Sequence, residues 1–230
     1  MAGEQLDGIA EHREEFYRLV NTDETDQELT LRGETENQIC DMALTRGCHR
    51  AQRYLLKHGY RGWRKRSTAL SFSGADATDG GQYADLPSDF LKAFGSRRVS
   101  ALRKANGDQW GQEIEDYQDF WKGNYYYIRG DELWVTRTAV LPTALYLEYH
   151  YKHPVWNDSV TIDFPIEARY LIVAEAANVA KDHSWLTGDV ELEAKIVRAL
   201  DTAREEARSI APRTRSQKLF QAPRRFGNRW

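Results

Sequence analysis

Apolar residues recur at helical spacing at both ends of this 230-residue chain and at every second position in its middle. That change of period, from about 3.6 residues to 2 and back, restricts the chain to an α+β class with helices flanking an internal β-rich stretch. The first helical pattern runs from Glu4 to Val20, with Leu6, Ile9, Phe16, Tyr17 and Val20 on one side, broken by Arg13. An acidic stretch with Asp23, Glu24, Asp26 and Glu28 follows. A second helix is expected over Glu34 to His58, its stripe formed by Cys40, Ala43, Gly47, Ala51, Tyr54 and Leu55. Gly59 supplies a left-handed cap, and Lys57 and His58 suit the negative end of the helix dipole. The small residues of the stripe permit a close approach to another helix, with ordinary core packing as the plainer reading.

After Trp63 the period shortens. Thr68, Leu70 and Phe72 alternate with smaller, more polar residues over Ser67 to Ser73, which reads as a strand. Asp79-Gly80 marks a turn. Pro87 stops the next extended segment, and Ser88 can cap a short helix beginning at Asp89. Arg97 to Arg103 reads as another strand, while Glu113 to Trp121 has no clear state. Tyr125 to Ile128 and Leu133 to Thr136 flank Arg129-Gly130-Asp131-Glu132 as a hairpin, and Leu145 to Tyr151 shows the cleanest alternation.

Helical spacing then returns. Asp163 is placed to cap a helix with Pro165 in an early position and Ile166, Tyr170, Val173, Ala177 and Ala180 on its face. A short link, Ser184 to Gly188, leads to a second helix, capped by Thr187 or Asp189 and facing inward through Leu192, Ile196, Ala199, Leu200, Ala203 and Ala207. So short a link makes the pair antiparallel, and Pro212 is expected to close it. Neither helical end has enough apolar surface to stand alone. The economical architecture is one bundle drawn from both ends: residues 1–62, an inserted β-rich region over 63–160, the helix pair over 161–210, and an extended arm over 211–230.

Composition narrows the function. Hydrophobic residues make up 41% and charged residues 29%, enough for a core and against whole-chain disorder. A net charge of −3 argues against a general nucleic-acid coat. Cys40 and Cys48 lie about 12 Å apart along a helix, too far to bridge. No leader pattern and no apolar run of membrane-spanning length is visible, so a soluble product made in a cytoplasm is expected.

The residues recommend no catalysis, cofactor or metal. No glycine-rich phosphate motif is present. Cys48-His49 and the pair His150 and His153 lack zinc-site spacing. Asp85, Asp89, Glu113, Glu115, Asp116 and Asp119 read as solvated carboxylates, and Arg129-Gly130-Asp131 as turn chemistry.

The C-terminal arm is different. It carries six basic residues (Arg213, Arg215, Lys218, Arg224, Arg225 and Arg229) and no acidic one. Phe220, Phe226 and Trp230 are too widely spaced for one helical stripe, and Pro223 prevents a continuous helix. Such a segment cannot bury enough apolar surface to order itself. It is a solvated tail, a nucleic-acid arm, or an arm that orders on a protein. Rings and arginines are the side chains that most often anchor interfaces, which favours the last.

The order of motifs adds a resemblance. Leu86-Pro87-Ser88-Asp89-Phe90-Leu91, then Tyr126-Tyr127-Ile128-Arg129-Gly130-Asp131-Glu132-Leu133, then Tyr149-His150-Tyr151-Lys152-His153-Pro154, then two helices over 166–210, resembles the head-to-tail adaptors of tailed bacteriophages, of the tail tubular protein A or head-completion type. The likeness covers about residues 34–210, and residues 1–33 have no recognised counterpart. It implies a non-enzymatic virion protein assembled in the host cytoplasm, forming a ring, usually of twelve copies, beneath the portal. Viral double-stranded DNA would pass through a lumen walled by the helices, and the β-rich region would meet tail or nozzle proteins or lie outside. The nine arm residues Arg213, Arg215, Lys218, Phe220, Arg224, Arg225, Phe226, Arg229 and Trp230 would bind the portal. The alternative is a nucleic-acid-binding module that uses the same arm.

Overall fold

The computed structural model describes residues 8–21, 34–73, 81–95, 99–114, 123–136, 138–157, 159–186 and 190–216, with side chains to residue 210. The acidic stretch, the Asp79-Gly80 turn, Glu115 to Trp121 and the Thr187 and Asp189 caps lie outside the described residues. The chain is α+β and forms two compact units, one of residues 1–61 with 153–230 and one of residues 62–152.

The first unit contains helices α1 (Ile9–Val20), α2 (Glu36–Lys57), α3 (Arg169–Asp182) and α4 (Val190–Ser216). Local chemistry fixes the ends of α2. The Thr35 hydroxyl accepts the Gln38 N–H while the Gln38 side chain accepts the Thr35 N–H, a reciprocal cap. At the other end Gly59 takes φ 99°. There the Tyr60 N–H donates to Leu55 O and the Gly59 N–H to Leu56 O, satisfying carbonyls the helix leaves open.

α3 is buried almost all round, through Leu171, Ile172, Val173, Ala174, Ala176, Ala177, Val179 and Ala180. Helices of that kind occupy the centre of a bundle, and α3 packs on α1, α2 and α4. Asp163 does not cap it as expected. A 3-10 turn over Ile166–Ala168 precedes the helix, with Pro165 at its start and no side-chain cap bond. The Ala168 N–H instead donates to Pro165 O at 2.9 Å, so backbone closes the first turn. Nor does Pro212 end α4, which continues to Ser216. A proline removes one donor but leaves the neighbouring helical bonds available.

Among the described residues the second unit holds eight strands: β1 (Arg64–Arg66), β2 (Gln82–Asp85), β3 (Phe90–Ala93), β4 (Leu102–Lys104), β5 (Gln112–Glu113), β6 (Tyr125–Arg129), β7 (Glu132–Val135) and β8 (Leu145–Tyr151). β8 organises the first sheet. β1 runs antiparallel on one edge, and β3 and β4 share the other. The second sheet has the order β2-β7-β6-β5, with β6 and β7 forming the hairpin and β5 parallel to β6. Leu102, Leu145, Leu147 and Tyr149 from the first sheet meet Tyr126, Leu133 and Val135 from the second in one core.

Three expectations shift here. The strand read over Ser67 to Ser73 is instead β1, three residues earlier. Ser67 Oγ accepts the Leu147 N–H at 2.9 Å in place of the Ser67 carbonyl, so the pair keeps one backbone bond, from the Ser67 N–H to Leu147 O, and the regular ladder ends there. Asp89 starts no helix, because the Phe90 N–H closes a turn onto Pro87 O and the chain enters β3. The strand expected over 97–103 lies at Leu102–Lys104. Just before it, Ser100 Oγ accepts the Leu102 N–H and donates to Trp110 O, while Ala101 O still accepts the Glu148 N–H.

Candidate partner interface

α4 is the element that carries the chain into the arm, and its inner face explains how it is held. Leu192, Ile196, Leu200, Ala203 and Ala207 recur every three or four residues and are buried. Near its start, Lys195 Nζ donates to Arg18 O and Asn21 O, at 3.2 and 2.9 Å, compensating open carbonyls at the end of α1. Further along, Arg204 Nε and Nη2 both donate to Glu175 Oε1, at 3.1 and 2.7 Å. The Tyr54 hydroxyl donates to Arg204 O at 3.1 Å and accepts from Arg208 Nε at 2.8 Å. Polar bonds from α2 and α3 therefore hold α4 a few residues before the arm begins.

Arg213 and Arg215 fall within α4. Lys218, Phe220, Arg224, Arg225, Phe226, Arg229 and Trp230 lie outside the described residues. The Glu175–Arg204–Tyr54 cluster was missed from the sequence. Its signal was a lone carboxylate inside the apolar run Leu171 to Ala180, which is affordable only beside a cation.

Both cysteines are buried and unpaired. Burial pushes the Cys40 thiol up to about 12 and Cys48 well above its ordinary value, so neither is a thiolate near neutrality. Burial would raise the Asp89 carboxyl, but hydrogen bonds from Lys65 Nζ and the Tyr149 hydroxyl, at 2.6 and 2.7 Å, outweigh it and hold it below its ordinary value. Among the described residues no group of three or more His, Cys, Asp or Glu could hold a metal ion. Among them, too, no helix is long and apolar enough to cross a membrane.

His12 and His153 belong to the helical unit's core, each against the Trp156 ring at 5.3 and 5.6 Å. Burial holds both imidazoles below the ordinary value of 6.5, and His150 in the β unit likewise. A histidine kept neutral by folding takes up its proton first in the unfolded chain. Stability is therefore whole above about pH 6.5 and falls as pH drops through 6.5 toward the lower folded values. Urea midpoints should fall between about pH 7 and 5, and the fall should shrink in His12→Phe. An equal fall in that variant would remove His12 from the account.

The family model of the SU10 adaptor protein matches residues 17–222. The chain belongs to this family of phage head-to-tail adaptors, and is a structural component of a virion. No curated protein matches it. The match extends past the likeness read from motifs at both ends. It takes in the last third of α1, so residues 17–33 have a family counterpart after all.

Proposed function

We propose that the chain is the ring-forming adaptor beneath the portal of a tailed phage, extending the DNA conduit and offering the platform on which tail or nozzle proteins assemble. The observation that carries this reading is the family match, which spans both units and reaches into the arm. In this reading about twelve copies close a ring through head-to-tail contacts, each subunit offering two different faces. The arm from Gln217 to Trp230 seats between portal subunits, where its rings fill pockets and its arginines pair with carboxylates. Assembly takes place in the host cytoplasm. The ties at Glu175, Tyr54 and Lys195 support it, because a partner that captures the arm must load a fixed helix to hold the subunit.

Portal mixed with the full chain should show an added tier by negative-stain microscopy. A chain ending at Ser216 should keep its melting temperature and lose that tier. Undiminished portal binding by the shortened chain would remove the arm from the interface.

A further inference from the structure

Alternation along β8 sends Leu145, Leu147 and Tyr149 into the core and Tyr146, Glu148 and His150 to the opposite face. Residues paired directly across a ladder share a face. Arg64 stands opposite His150, Arg66 opposite Glu148, Lys92 opposite His150 and Arg103 opposite Tyr146. Three strands thus deliver four cations to one surface of a chain whose net charge is −3. The carboxylate among them, Glu148, is shared by Arg64 and Arg103 at 3.3 and 3.2 Å.

The rings on this face are not open platforms. The Arg64 guanidinium lies 3.4 Å from the centroid of Phe94, and that of Arg66 lies 4.1 Å from the centroid of Tyr146. Arginines stacked on rings are already ordered, so less side-chain entropy is lost when they meet an anion. A ring beneath a guanidinium is also denied to an incoming base, which removes the stacking that single-strand binders depend on. Arg64, Arg66 and Lys92 are exposed. The chemistry that fits is a row of phosphates read without regard to sequence.

We infer that the outer face of the β1-β8-β3 sheet, through the exposed Arg64, Arg66 and Lys92, with Arg103 beneath them on Glu148, binds the phosphate backbone of double-stranded DNA. The choice of DNA over other polyanions rests on the proposed place at a DNA-carrying junction. The contact is weak and strongly salt-dependent, as expected where phosphate charge alone is read. Engaging about three phosphates gives a log–log salt slope near −3, so affinity falls roughly 40-fold between about 50 and 200 mM salt.

Fluorescence anisotropy of a labelled duplex of about 25 base pairs, titrated with the full chain at both salts, tests it. R64Q/R66Q should bind at least about tenfold more weakly and lose about two units of salt slope. R198Q, on the exposed side of α4, should match the parent. A thymidine single strand of the same length should bind no more tightly than duplex. R64Q/R66Q with an unchanged circular dichroism spectrum, that weakened duplex binding and an intact tier on the portal would support the assignment. Parent protein that adds the tier but ignores duplex would overturn it and leave the adaptor reading standing. It is also overturned if R224Q/R225Q abolishes duplex binding while R64Q/R66Q does not, or if polyglutamate binds as tightly as duplex.

Discussion

Replacing Arg204 with alanine should lower the stability of the helical unit by about 3 kcal/mol, read from chemical denaturation. Glu175 is 2% exposed and projects from the most buried helix, where Arg204 provides two hydrogen bonds to one of its oxygens. Removing one partner of a fully buried pair costs about 3–5 kcal/mol, since the remaining charge is left in a low-dielectric site. The Arg204 side chain is 35% exposed, so water can reach into the space it leaves. That places the loss at the lower end of the range. Methionine at both positions should restore stability to within about 1 kcal/mol of the parent, because apolar replacement of a buried pair is often neutral. A loss below about 1 kcal/mol in Arg204→Ala would show that the pair is not holding α4 to α3.

Gly47→Ala should destabilise although helix propensity favours it. In an exposed helix that change gains about 1 kcal/mol. Here a Cβ at position 47 would lie 2.5 Å from Ala176 N and 2.7 Å from its Cα. Those are backbone atoms of α3, which cannot swing aside as a long side chain would, so α2 and α3 must separate. Overpacking of that kind costs about 1–3 kcal/mol. A net loss of about 2 kcal/mol is expected for alanine, and more for Gly47→Leu. Melting temperature is the readout, and its sign decides: a rise in Gly47→Ala would mean that the two helices are free to move apart.

Much of this was legible before any coordinates, and for identifiable reasons. The cap at Gly59, the hairpin over Tyr125 to Val135 and the alternation of Leu145 to Tyr151 are local signals, and each sits where its sequence placed it. The small stripe around Gly47 permitted a close approach but read more plainly as ordinary core packing, and the α3 backbone does come that close there. What failed was decided by tertiary partners. Ser67 and Ser100 look like ordinary strand residues, yet each hydroxyl takes a backbone N–H beside the end of a strand. Asp163 and Pro165 have the composition of a helix start, but a tight backbone turn forms there instead. The cations at Arg64, Arg66, Lys92 and Arg103 are scattered over forty residues, and only the register of β8 brings them together.

The β unit begins and ends at one point. The Tyr151 N–H donates to Trp63 O at 2.9 Å, tying its exit strand to its entry. The helical unit, by contrast, is drawn from two distant stretches of chain, and α2 must find α3 across more than a hundred intervening residues. An open loop of the insertion's length would cost roughly 4 kcal/mol of entropy to close. Once the sheets have formed, that loop is replaced by a staple one hydrogen bond wide. On a ribosome the insertion is also complete before α3 emerges. The order of synthesis therefore lets the sheets act as a clamp, presenting the early helices to the late ones at short range and sparing the bundle a long search.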